Sequence, residues 1–144
     1  MSQSVSYNKL NQKKQHTLRE TVRVEGVALH SGIAVSLTIK PAAIDHGIVF
    51  KRIDLKNHLA IIPAKWNLVS DTRLCTTITN KQGTSVSTIE HLMAAFSGCG
   101  IDNVTIEVNG PEVPIMDGSS EPFVNIFQSC GVVEQNAARQ VLKI

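Results

Sequence analysis

Apolar residues in this chain change their spacing near Ser87, and that change constrains the fold more than any other feature. Before it they alternate with polar residues. AVSLTIKP sets Val35, Leu37 and Ile39 against Ser36, Thr38 and Lys40. Alternation of this kind marks a half-buried strand. TLRETVRVEG reads as one strand, with Leu18, Val22 and Val24 on one side and Arg19, Thr21 and Arg23 on the other. GIVFKRID, LAIIP and RLCTTITN read as further strands, and NKQG as a turn. GVALHSG reads as a loop bracketed by Gly26 and Gly32.

After Ser87 the spacing becomes helical. In STIEHLMAAFSGCG, Ile89, Leu92, Met93 and Phe96 form one stripe. Ser87 and Glu90 have the spacing of a capping box, and Gly98 or Gly100 can close the helix. In SSEPFVNIFQSCG the stripe is Phe123, Ile126, Phe127 and Cys130, with Pro122 in the first turn and Gly131 as the stop. NVTIEVN, between the helices, turns Val104, Ile106 and Val108 inward. VVEQNAARQVLKI starts an extended run that completes nothing, which suggests a nearby domain boundary. Strands first and helices late predict an α+β two-layer sandwich: a mixed or antiparallel sheet with two main helices packed on one face. The expected division is a flexible polar tail over 1–15 and one domain over 16–144.

Composition narrows the function. A chain of 144 residues buries enough surface for a core without staples. Residues 1–23 carry five bases against one acid, leaving nine bases against eleven acids in the body. The body is therefore not a polyanion-binding surface, and four Phe, one Trp and one Tyr are too few for a base-stacking platform. No nucleic-acid partner is expected. No apolar run is long enough to span a membrane, and the first fifteen residues lack the apolar centre of a secretory signal. Three widely spaced cysteines, Cys75, Cys99 and Cys130, form neither a zinc ribbon nor a disulfide scaffold, which favours a reducing, cytoplasmic setting.

The first helix carries the most informative polar pair. His91 falls opposite the apolar stripe, flanked by Ala94 and Ala95 rather than by solvating side chains, with Glu90 beside it. Such a face suits cover by a ligand or a second domain, and Glu-His there suits a base next to a metal ligand. The plain alternative is a capping-box Glu90 and a satisfied interior His91. The pair is not HExxH, because Ala95 stands four residues after His91. His30 in its loop, Cys75 on its strand and Asp117 before the second helix are further candidates. For each the ordinary role competes: a solvated loop histidine, a small buried thiol, an Asp-Gly turn near a helix dipole. No phosphate-cradling glycine pattern and no GxSxG elbow occur. His16 and Glu20 on one strand lie about 13 Å apart, too far to chelate one ion.

STIEHLMAAFSGCGIDNVTIEVNGPEVPIMDGSSEPF, with GVALHSG and SDTRLCTTI before it, closely resembles the zinc-dependent UDP-3-O-acyl-N-acetylglucosamine deacetylases of lipid A synthesis. The likeness runs from about Lys14 onward, with Ala28 where the family often has Gly. It implies hydrolysis of the N-acetyl group of UDP-3-O-acyl-N-acetylglucosamine, with release of acetate, in Gram-negative bacteria. It implies zinc as cofactor, with His91 matching the first of two histidine ligands and Glu90 the general base. Asp117 matches the catalytic-site aspartate of the IMDGS motif. His30, Leu74 and Cys75 match substrate-binding segments along the cleft. The family's second domain, with the helical His-x-x-x-Asp ligand pair, has no counterpart here. The resemblance thus implies the first domain only, inert alone, with an incomplete zinc site and self-association through the face the second domain covers. The competing reading is a non-catalytic α+β module that binds RNA or a sugar nucleotide.

Overall fold

The computed structural model describes residues 13–139 except 57–58, 66–67 and 72–74. The elements, in order, are β1 (Lys14–Leu18), β2 (Val22–Val27), β3 (Ala34–Pro41), β4 (Ile48–Arg52), β5 (Ile61–Pro63), β6 (Val69–Asp71), β7 (Thr77–Thr79), β8 (Ser85–Ser87), α1 (Glu90–Cys99), β9 (Val104–Val108), α2 (Glu121–Cys130) and β10 (Val132–Ala138). The main sheet has five strands in the order β2-β3-β9-β4-β5. Only its β4–β9 pair is parallel. β6-β7-β8 and β1-β10 form two smaller sheets.

Strand alternation decides which face of the main sheet is inside. Leu37 pairs with Val108, Ile39 with Ile106, and Phe50 with both Ile106 and Ile62. All six are fully buried. The alternate positions, such as Lys40, Thr105 and Glu107, stay at least partly exposed, and Lys40 and Glu107 form an ion pair at 3.2 Å. The buried face joins Leu92 and Phe96 of α1 and Phe123 and Phe127 of α2 in one hydrophobic cluster. Phe96 and Phe127 stack with centroids 4.9 Å apart and planes within 9°. This is the expected α+β sandwich, with both helices on one face.

The expected single strand across residues 17–26 is two strands. β1 pairs with β10 and β2 with β3. Between them the Arg19 N–H donates to Gly131 O at 2.9 Å, so the chain changes partner there. β10 therefore completes a pairing with β1, where the sequence suggested an extended run without a partner. β1 also begins inside the expected tail: Gln15 is 4% exposed and donates to Asp45 Oδ1 at 2.8 Å. Residues 1–12 of that tail lie outside the described residues.

Gly26 is not a loop bracket. It lies in β2, where a Cβ would fall 2.7 Å from Pro114 Cβ, so the close approach of the two segments requires glycine. NKQG is a turn as expected, with the Asn80 carboxamide oxygen accepting from Gln82 N–H and Thr84 N–H. α1 ends at Gly100 in the left-handed conformation, φ 69°.

Candidate functional site

The start of α1 differs from the expected capping box. Ile89 is the N-cap residue and no side chain caps it. Ser87 belongs to β8, and its hydroxyl accepts from Thr77 Oγ1 at 3.0 Å. Glu90 is then the first helical residue, too early to reach back to a capping serine. Its Oε2 accepts from Thr76 N–H at 2.9 Å, which ties α1 to the segment before β7. Its Oε1 is buried and has no hydrogen-bond partner among the described residues. A carboxylate oxygen removed from water with nothing to accept is unusual.

His91 follows on the same turn, half-buried. Of the two alanines read as its flanks, Ala94 is exposed, but Ala95 is fully buried in this chain's own core. The expected covered face is thus partly the domain's own packing. Asp117 is exposed in the turn before α2. Its Oδ1 accepts from Ser119 Oγ at 2.7 Å and from Ser119 N–H at 2.9 Å. The Ser119 hydroxyl chiefly, and then the Ser119 N–H and the charge of His91, hold the Asp117 carboxyl below the usual aspartate range. His91 and Asp117 are thus electrostatic neighbours.

A cleft of about 470 Å³ gathers His30 and Cys75 with Thr77, Ser87, Pro111 and Glu112. The Cys75 Sγ lies 3.7 Å from Thr77 Oγ1. Thr76, between these two lining residues, is the one that anchors Glu90. Leu74 lies outside the described residues. Cys75, Cys99 and Cys130 are all free thiols, and burial pushes the Cys99 thiol up.

The sequence did not single out Glu112, which lines the cleft, or Thr88, which bonds to it. Glu112 is 6% exposed. Its Oε2 accepts from Thr88 Oγ1 at 2.7 Å and lies 2.6 Å from His30 Nδ1, while the His30 N–H points at both carboxylate oxygens. Burial pushes the Glu112 carboxyl up, but the Thr88 and His30 hydrogen bonds, with the charge of His30, outweigh it and hold the carboxyl below the usual glutamate range. Thr88 has φ 63°, a left-handed conformation that β-branched residues avoid. Met116, just before Asp117, is also left-handed at φ 56°. The signal available for Glu112 was a lone acid in the apolar run PEVPIM.

Among the described residues no three His, Cys, Asp or Glu side chains cluster tightly enough to hold a metal ion. His91 can supply one ligand, and the buried Glu90 oxygen beside it, unpartnered among the described residues, fits a base waiting for a proton donor.

Residues 15–144 match the family model described as UDP-3-O-acyl N-acetylglycosamine deacetylase. The chain belongs to that deacetylase family. Curated relatives named UDP-3-O-acyl-N-acetylglucosamine deacetylase are 50% identical over 131 residues in Pseudoalteromonas atlantica, Haemophilus influenzae and Xylella fastidiosa. The aligned part is 91% of this chain but 43% of the first two relatives and 42% of the third. The chain therefore spans less than half the length of the deacetylases it matches.

Proposed function

We propose that this chain is the base-bearing part of a zinc amidohydrolase that removes the N-acetyl group from UDP-3-O-acyl-N-acetylglucosamine in lipid A synthesis. The observation that carries the reading is the buried Oε1 of Glu90 next to His91, which has no hydrogen-bond partner among the described residues. Thr76 N–H holds Oε2, so the carboxylate is oriented before substrate arrives. Glu90 takes a proton from the attacking water on Oε1. The amide C–N bond then breaks, Glu90 returns that proton to the leaving amine nitrogen, and acetate departs. Zinc, when bound, would supply Lewis-acid polarisation of the carbonyl and a more acidic water, with His91 as one of its holders.

Asp117, an electrostatic neighbour of His91 in the turn before α2, is the second catalytic carboxylate of this reading. His30 and Cys75, with Leu74 beside them in sequence, border the path for the sugar nucleotide. The remaining metal ligands and the acyl-chain passage belong to polypeptide outside residues 16–144, which act as the first domain. Val27, Leu29 and Ile33, about half or more exposed on one hairpin, are apolar surface through which isolated copies would self-associate. No helix among the described residues is long and apolar enough to cross a membrane. The proposed setting is the cytoplasm of Gram-negative bacteria.

Metal content after dialysis tests the partial site. A single imidazole ligand predicts zinc lost to buffer; stoichiometric, tightly held zinc in this chain would contradict the division of ligands. Sedimentation tests the apolar hairpin. Association that rises with concentration is expected, and a monomer at high concentration would reject it.

A further inference from the structure

We propose that Glu112 is the positioning residue of this site, a buried carboxylate that sets the ring of His30 and the entry into α1 at the same time. The inference rests on the reading of Glu90 and His91 as the reacting pair only for its consequence in catalysis. Its geometry stands on other residues.

Three segments meet at this one side chain. His30 comes from the β2–β3 connection, Thr88 from the link between β8 and α1, and Glu112 from the stretch after β9. The backbone brings them together first. Ala28 bridges to Pro114, Ser87 bridges to Glu112, Ser87 N–H donates to Pro111 O at 2.8 Å, and Val113 N–H donates to Ser87 O at 3.0 Å. Glu112 then receives the Thr88 hydroxyl, the His30 N–H and the His30 ring. A carboxylate almost without solvent needs such donors, and here they are one hydroxyl, one amide and one imidazole.

Each donor has a consequence for the cleft. At 2.6 Å from the carboxylate, Nδ1 of His30 carries the proton, so the neutral ring is the Nδ1–H tautomer. Nε2 is left as the available nitrogen of a ring that lines the cleft. Isolated histidine side chains favour the opposite tautomer, so the carboxylate reverses the ordinary preference. Thr88, held through its hydroxyl in the left-handed region, turns the chain from β8 into α1. Glu90 and His91 begin at that turn. One carboxylate therefore presents a cleft-lining imidazole and fixes the start of the helix that carries the reacting pair.

The test is ¹⁵N NMR of the imidazole nitrogens of His30 in the full chain, comparing the parent with Glu112→Gln and Glu112→Asp. Backbone amide spectra report that each variant is folded. The parent is expected to show the Nδ1–H form, Glu112→Gln to move His30 to the Nε2–H form, and Glu112→Asp, which keeps a carboxylate, to retain the parent pattern. A parent already in the Nε2–H form would overturn the proposal. So would a Gln variant with the parent's ring shifts, or an Asp variant that behaves like Gln. Loss of fold in Glu112→Gln would leave the parent and Asp spectra to decide. The outcome is separate from the catalytic reading. If Glu90→Gln leaves deacetylation intact in a chimera completed by the rest of a relative's chain, that reading falls while the ring result stands. If the rings ignore Glu112, the positioning proposal falls whatever Glu90 does.

Discussion

Phe96 and Thr88 are both buried, at 0% and 3% exposure, and they show two ways of building one domain. Phe96 sits on a regular helix and stacks on Phe127, surrounded by apolar side chains from sheet and helices. Thr88 sits in a strained backbone conformation with its hydroxyl on a buried carboxylate. The interior around Phe96 obeys local rules, since period, propensity and burial agree. The cleft end breaks them at Thr88, Met116, Glu90 and Glu112, which form or flank the candidate site. Strained residues persist only where surrounding contacts over-determine them, and such places cluster at functional sites.

Truncation on the packed side should cost most. Phe96→Ala removes one ring of the stack and leaves a cavity, with an expected loss of about 3–5 kcal/mol in urea denaturation. A loss under about 1 kcal/mol would mean that the helix layer is not the folding core. On the cleft side, Glu112→Gln weakens charge-assisted bonds from Thr88 and His30 and should cost about 1–3 kcal/mol by the same measurement. An unchanged urea midpoint would show that the carboxylate holds nothing.

Acid sharpens the contrast further. The Glu112 carboxyl is held below the usual glutamate range in the folded chain. Its contribution is therefore present above the unfolded value and is lost as pH falls through the folded one. The stability gap between parent and Glu112→Gln should be widest near neutral pH and close in acid. A gap that widens on acidification would reverse the sign. Phe96→Ala, which alters no titrating group, should keep its deficit relative to the parent across the same range. The smallest effect belongs to the solvated sheet face. Lys40→Ala breaks a surface pair with Glu107 and should shift stability by less than about 1 kcal/mol.

The same contrast explains what was legible in the sequence. β3, β9 and both helices follow from spacing alone, because each buries one face and exposes the other. The break between β1 and β2 did not follow, because it depends on which distant strand each pairs with, β10 or β3. Ser87 and Glu90 have capping-box spacing, but tertiary pairing of Ser87 in β8 overrides it. At the candidate site, Glu90 and His91 were visible as a polar pair against an apolar stripe. Glu112 was not, since its partners His30 and Thr88 lie 82 and 24 residues away. Its role arises only when three segments meet.

The central claim is that the Glu90 carboxylate is the base of an amide hydrolysis completed by polypeptide outside residues 16–144. Acetate release tests it most directly, in a chimera where this chain replaces the matching part of the Pseudoalteromonas atlantica deacetylase. The chimera with Glu90 is expected to release acetate from UDP-3-O-acyl-N-acetylglucosamine, and Glu90→Gln to lower the rate by about 100-fold or more. An equal rate for the two chimeras would contradict it.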